Sequence, residues 1–347
     1  PPARGSRASA VPATTVVNVP PLDLPPVLAL GARFRALEDQ RLPPFLGSAL
    51  HGAFGRALKD AVCVAPEREA CPGCSLFASC AYPLLFETPA PASGPLEEAG
   101  VRDQAPRPVA VAPEPGWTRP SGKPVEVKTG EMIPLHVVLI GRAIAYLPAV
   151  LQALCGSAER GFGVAERARR ARLSLDIVAT QDGSHKVYER GHGYLGAPPL
   201  ENASESSAGG DAVTLEIVTP IRLKEDGRLS GTITPRLFFR TLARRANALS
   251  ILFGNGRAAV DEDETDAQAR EIKVVRASLR RVHVRRYSAR QSRRMEWPGL
   301  MGRVEWKGEA LASLWPLLSF GEAVQIGKGT ALGFGRYRVV EPGSRRA

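Results

Sequence analysis

Two constellations in this chain carry side chains with chemistry of their own. Cys63, Cys71, Cys74 and Cys80 follow the pattern Cys-x7-Cys-x2-Cys-x5-Cys. A Cys-Pro-Gly-Cys turn can present two thiolates to one metal ion, and the outer pair would complete a tetrahedral set. The spacing predicts a structural zinc, with an iron–sulfur cluster as the alternative, because four thiolates serve either. A site closed by four protein ligands leaves no open position for a reacting molecule, so its expected role is to staple the segment that holds it. Cys155 falls in an apolar run and reads as core.

The second constellation is cationic. Between Arg276 and Arg294 stand eight arginines, namely Arg276, Arg280, Arg281, Arg285, Arg286, Arg290, Arg293 and Arg294, with His283 and Tyr287 among them and no acid. Val275, Leu279, Val282 and Val284 partly alternate with them, so one side of a strand or hairpin can pack while the other meets phosphates. Arg244 and Arg245 add charge on the preceding helix. The whole chain carries a formal charge of +11, which favours a polyanionic partner through displacement of condensed counterions. No helix-turn-helix pattern is present, so duplex readout is disfavoured and RNA, read by shape and phosphates, is expected.

These residues need a scaffold, and 347 residues with 44% hydrophobic and 23% charged content suffice for two globular domains and exclude a fibrous or disordered chain. No apolar run approaches the roughly 18 residues of a bilayer span. The Pro-rich start, Pro1 to Pro26, lacks the apolar core of a signal peptide. A cytoplasmic protein that does not use a membrane is expected.

Residues 1–24 read as an extended or disordered segment. Val27 to Arg35 is a strand, and Pro43-Pro44 opens a helix whose apolar positions Leu46, Leu50, Phe54, Leu58 and Val62 recur at helical spacing. The cysteine excursion, 63–80, follows, and then a stretch rich in Pro, Gly and Ala, 89–125, reads as a long surface loop. Pro134 to Ile140 is a strand, Ile144 to Leu154 a helix, Arg172 to Val178 a strand, and Gln181 to Tyr194 a hairpin or exposed loop. The polar segment 201–211 is a linker between a first domain, 25–200, and a second, 212–342. The second opens with the alternating strand Val213 to Val218, turns at Asp226-Gly227 and enters a helix at Pro235 that Gly254 closes. Asp261 to Asp266 reads as a solvated acidic loop. Leu311 to Phe320 is apolar and helix-like, and Arg336 to Val340 is a strand.

Each domain ends in the same way. Gly156 to Gly163 lies between an apolar helix and a strand, and Ile326-Gly-Lys-Gly-Thr-Ala-Leu-Gly-Phe-Gly-Arg336 lies between another such pair. Glycines at this spacing permit positive φ and close backbone approach. The order strand, helix, strand, strand, helix, strand, taken twice, predicts an α+β protein of two tandem ferredoxin-like βαββαβ units.

The segments Leu46-Gly-Ser-Ala-Leu-His-Gly-Ala-Phe-Gly-Arg-Ala-Leu58, Thr219-Pro-Ile-Arg-Leu-Lys224 and Ile326 to Tyr337 resemble those of the CRISPR precursor-RNA-processing endoribonucleases of the RAMP superfamily, and the resemblance covers most of residues 27–340. It implies binding of CRISPR repeat RNA and one cut within each repeat. No metal is needed for that chemistry, in which the ribose 2′-OH attacks the adjacent phosphate to leave a 2′,3′-cyclic phosphate and a 5′-OH. The glycine loop is shared with RAMP members that bind RNA without cutting it, so a non-catalytic subunit of a CRISPR effector complex is the alternative. Other effector subunits are possible partners.

The resemblance also nominates residues. His51 lies in the first helix, where this family often places a catalytic histidine, and an imidazole suits proton transfer near neutral pH. Lys59 is its expected cationic companion, roughly 12 Å along the helix axis and about 80° around it. Gly52 and Gly55 are expected to leave room for RNA. His192 and His185 remain alternatives as the catalytic histidine, with Tyr82 or Tyr188 as possible assistants. His136 reads as structural and His283 as an RNA contact. Expected RNA contacts are Arg222, Lys224, Arg244, Arg245, Arg276, Arg280, Arg281, His283, Arg285 and Arg286. In the terminal loop, Gly327, Gly329, Gly333 and Gly335 should set the backbone beside RNA, with Lys328 and Arg336 adding charge.

Overall fold

The first unit begins with β1 (Val27–Ala36), apolar and buried on both sides over its first four residues and alternating outward at Arg33 and Arg35, and a short β2 (Gln40–Leu42). Helix α1 (Gly47–Val62) follows and buries Leu50, Phe54 and Leu58 along one face. After one π-helical turn, Pro83–Glu87, come β3 (Val109–Pro113), β4 (Val125–Val127) and β5 (Met132–Ile140). Helix α2 (Leu147–Arg160) then leads to β6 (Leu173–Thr180) and the hairpin β7 (Lys186–Glu189) and β8 (Gly193–Tyr194). The structure, a computed structural model, describes residues 22–65, 71–88, 105–114, 116–117, 122–165, 169–199, 210–288 and 293–340, of which 286–288 and 293–294 by their backbone alone.

Strand order in this sheet is β3-β5-β1-β6-β7-β8, antiparallel throughout. Its first four strands have the ferredoxin-like order, with the two helix-flanked strands β1 and β5 in the middle. Gly156 on α2 brings the two helices together, since a methyl there would meet the Ala57 Cβ at 3.1 Å.

The second unit repeats the plan. Strand β9 (Ala212–Ile221) is followed by a small hairpin, β10 (Lys224–Glu225) and β11 (Arg228–Leu229). Helix α3 (Pro235–Phe253) starts on the Thr234 cap, with Pro at its first position. Helix α4 (Glu262–Glu271) leads into the long hairpin β12 (Lys273–Ser288) and β13 (Arg293–Lys307), then α5 (Leu311–Val324) and β14 (Tyr337–Val340). The order β12-β13-β9-β14 is again the ferredoxin one. One apolar cluster joins the units: Val27, Val138 and Ile140 of the first pack with Phe253, Leu314 and Leu317 of the second.

Two expectations need correcting. The stretch 89–125 is not all surface loop, because Val109–Pro113 is an entirely buried strand that completes the first sheet. Its residues are apolar on both faces, so it has no alternation to stand out from the surrounding prolines. The acidic stretch is helical as well. Asp261 accepts hydrogen bonds from the backbone N–H groups of Asp263 and Glu264, and Glu262, Asp263 and Glu264 occupy the first turn, where the helix dipole favours negative charge. Residues 1–21 and 201–209 lie outside the described chain.

Candidate active site

The terminal glycine loop is a docking element. Gly327, Gly329, Gly333 and Gly335 all have positive φ, at +83°, +91°, +80° and +82°, a region that costs other residues strain. The loop is pinned to the end of β9 and the residue that follows it: Lys328 N–H donates to the Arg222 carbonyl at 3.0 Å and Gly335 N–H to the Pro220 carbonyl at 3.1 Å. Its other side meets the first unit. Any side chain at Gly47 would strike the Leu332 carbonyl, and one at Gly333 would come within 2.9 Å of the Ala112 Cβ. The three segments Leu46–Leu58, Thr219–Lys224 and Ile326–Tyr337, far apart in the chain, therefore meet in space.

Aromatic packing completes the junction. Phe45 and Phe334 lie 4.6 Å apart between ring centres, and Trp297 lies 5.6 Å from Phe334. With Val284 and Leu332 they form a small apolar core between α1, the long hairpin and the loop. The Arg222 guanidinium stacks over Trp297 at 4.3 Å, and its Nε donates to the Pro298 carbonyl. Arg222 thus helps to order the junction.

His51 sits at the floor of this region. It lines a small cavity of about 10 Å³ with Phe54, Leu85, Phe86, Arg107, Val109, Val111 and Ala331. Its ring stacks on Phe86 with centres 4.4 Å apart. Gly55 makes room for that phenylalanine, whose ring a methyl at Gly55 would overlap; at Gly52 a methyl would fit, in ordinary contact with the Arg56 Nη1 at 3.5 Å. Ala331 brings the terminal loop to the histidine.

Arg107 belongs to this cavity, and nothing in its sequence context marks it. Its Nε donates to the Phe86 carbonyl, and its guanidinium stands 5.4 Å from the Phe86 ring centre. Burial lowers its pKa from the ordinary arginine value.

Lys59 is placed elsewhere. With Cys63, Cys71, Cys74 and Cys80 it lines a separate cavity of about 30 Å³, and Tyr82 and Phe86, stacked at 5.4 Å, contribute one ring to each of the two cavities. Burial pushes the Tyr82 hydroxyl up to about 12, so it stays protonated at neutral pH. The four thiols are half-buried around one space, and the Cys71-Pro-Gly-Cys74 turn is closed by a hydrogen bond from Cys74 N–H to the Cys71 carbonyl. The donor set suits a thiophilic metal. Among the described residues no three such donors already stand in metal-holding geometry. Burial raises the Cys71 thiol above its ordinary pKa, Glu87 adds to the rise and Lys59 opposes it.

The other histidines separate clearly. His192 is exposed on the β7–β8 hairpin, at the opposite edge of the sheet from β3. His185 lies in the turn from β6 into β7, with Nε2 buried and unpaired among the described residues. His136 is buried between Gln181 and Glu114, and burial holds its pKa well below the usual value, so it is neutral and structural. Tyr188 packs against Cys155, and burial pushes it up to about 12.

The expected RNA contacts divide into two groups. Arg276, Arg280, Arg281, His283 and Arg285 are exposed along β12, the edge strand, while Val282 and Val284 between them are buried. Arg285 and His283 share Glu296 at 3.7 and 3.6 Å. Lys224 and Lys328 are exposed, and Arg244 is exposed and pairs with Glu262 at 3.3 Å. Two arginines have structural duties instead. Arg245 donates to the Val324 carbonyl at the end of α5, and burial lowers its pKa to about 10. Arg336 is buried, donating to the Pro113 carbonyl at 3.0 Å and pairing with Glu114 at 3.4 Å. It ties the loop to β3. The side chain of Arg286 lies outside the described residues.

Comparison with known proteins agrees with this architecture. Residues 24–200 match a family described as the AF_1859 N-terminal domain, and residues 215–337 match the CRISPR-associated endoribonuclease Cas6. A Cas6 product complex superposes with a TM-score of 0.53 at 18% identity, covering 90% of this chain and 99% of that one. The Thermus thermophilus Cas6 gives 0.52 at 17%, with coverage of 90% and 98%. A partial Cas6-RT-Cas1–Cas2 complex gives 0.53 at 10% identity and covers 94% of this chain and 48% of the other. No curated protein sequence matches the chain. Among the described residues no helix is long and apolar enough to cross a membrane. On a double ferredoxin-like frame joined by a glycine-rich loop, the chain belongs to the family described by the AF_1859 N-terminal domain, and its second unit carries the domain of the CRISPR-associated endoribonuclease Cas6.

Proposed function

We propose that this protein binds the repeat of a CRISPR transcript and cuts it once, with His51 as general base. The observation that carries the reading is the convergence of α1, the end of β9 and the terminal loop, which sets Ala331 against the His51 cavity. The exposed cations of β12 reach the same junction through Val284, so RNA lying along that strand is led to the histidine. A neutral imidazole takes the proton of the ribose 2′-OH as it attacks the adjacent phosphate. The products are a 2′,3′-cyclic phosphate and a 5′-OH, and no metal takes part. A solved structure on the same frame is a Cas6 product complex.

The four cysteines fit a structural zinc that staples the excursion after α1, near but apart from the reacting groups. Other CRISPR effector subunits are the expected protein partners.

The test is incubation of the purified protein with repeat RNA in EDTA, with mapping of the ends and metal analysis of the untreated protein. One cut bearing a cyclic phosphate is expected, with about one zinc per chain by the four-thiolate reading. Binding without cutting would establish the RNA-holding alternative.

A further inference from the structure

We infer that Arg107, and not Lys59, supplies the cation that grips the scissile phosphate in this chain. The inference rests on the reading of His51 as the base. Arg107 and His51 line one cavity and both lie against the Phe86 ring, whereas Lys59 lines the cysteine cavity. The bond from Nε to the Phe86 carbonyl fixes the plane of the guanidinium and leaves the two Nη groups without a hydrogen bond to any described residue. No described carboxylate stands within ion-pair distance of it, and the Glu87 charge acts on it only from farther off. A half-buried guanidinium whose plane is set and whose fork is unspent is a preorganised receptor for a phosphate oxygen.

The fork donates to the non-bridging oxygens while His51 takes the 2′-OH proton, the new O–P bond forms, and the bond to the 5′-oxygen breaks, that oxygen leaving with the electron pair and taking a proton from solvent water to become the 5′-OH. Negative charge rises on those oxygens as the phosphorus becomes five-coordinate. A donor already in place and shielded from water stabilises that charge without reorganising. The contact therefore strengthens toward the transition state, and its loss should appear in the rate of cleavage more than in RNA affinity.

Arg107→Gln should slow single-turnover cleavage by about 10²- to 10³-fold, the usual effect of removing one such donor. RNA affinity should fall less than tenfold. Arg107→Lys, which keeps charge but not the fork, should recover only part of the rate. Substrates with a phosphorothioate at the scissile position report on the contact directly: the two diastereomers should be cut by the wild-type protein at rates differing at least tenfold, and the difference should shrink in Arg107→Lys. A folded Arg107→Gln that cuts at the wild-type rate overturns the inference, and so do equal diastereomer rates in the wild-type protein if that variant fails to fold. Both outcomes leave the endoribonuclease reading intact, which fails only if the wild-type protein does not cut.

Discussion

His51 bears the proton in the proposed reaction, and its replacement isolates that duty. His51→Ala should lower cleavage by about 10²- to 10⁴-fold, the range for a lost general base, while repeat RNA still binds within a few-fold by filter or polarisation assay. Unchanged cleavage would sink the assignment. A second titrating group acts on stability. Burial pushes the Glu322 carboxyl up to about 7 from 4.5, against the pull of Val339 N–H, Arg338 and Arg336. The folded protein then holds a proton that the unfolded chain has lost, so stability falls as pH rises through that window. Neutral His136 works in the opposite sense, so the comparison must be made within a pair of proteins. The melting temperature of Glu322→Gln should match that of the wild type near pH 4.5 and exceed it increasingly up to about pH 7. A pH-independent difference would contradict the buried-carboxyl account. At this scale His51 was readable through the helix motif that contains it. Arg107 was not, because it stands between two prolines without periodicity and acquires its place only from the Phe86 carbonyl and ring.

At the scale of elements, α1 and the terminal loop are matched surfaces, and their glycines differ in purpose. Gly333 has φ +80° and faces Ala112, while Gly52 has ordinary helical backbone and room for a methyl beside it. Gly333→Ala should destabilise the fold by about 1–3 kcal/mol through backbone strain and reduce cleavage with it. Gly52→Ala should leave urea stability equal or raise it by up to about 1 kcal/mol, since alanine is the better helix residue. If both variants unfolded at the same urea midpoint, the loop would not be docked as described. Most of the longer strands and helices of both units followed from periodicity, caps and turn residues. Strand β3 and helix α4 did not: a strand buried on both faces loses its alternation, and a surface helix such as α4 buries only Thr265 and Ala269.

For the whole molecule, charge divides between the exposed cations proposed to meet RNA and cations spent inside. Arg280→Ala and Arg281→Ala should each weaken RNA binding and reduce the slope of log K against log salt by about 0.7, as for one phosphate contact on a single strand. Arg336→Met should leave that slope alone while lowering stability by about 3 kcal/mol, because it strands Glu114 beside a buried site. A salt slope that changes equally in all three variants would mean that Arg336 meets RNA after all.

The amino-acid sequence by itself determined the double βαββαβ order, the terminal glycine loop, the cationic strand and the cysteine set, since each is a pattern of neighbouring residues expressed through local geometry; the earlier glycine stretch, 156–163, is helical as far as Arg160. Only the tertiary structure decided which of those residues share a site. Lys59 and His51 lie on one helix, yet the stacked rings of Tyr82 and Phe86 assign them to different cavities. Arg336 adjoins an exposed loop, yet its guanidinium is drawn inward by Glu114 and the Pro113 carbonyl. Such assignments depend on contacts between residues more than fifty or two hundred positions apart, where the energy of burial and not local spacing sets each side chain's neighbours.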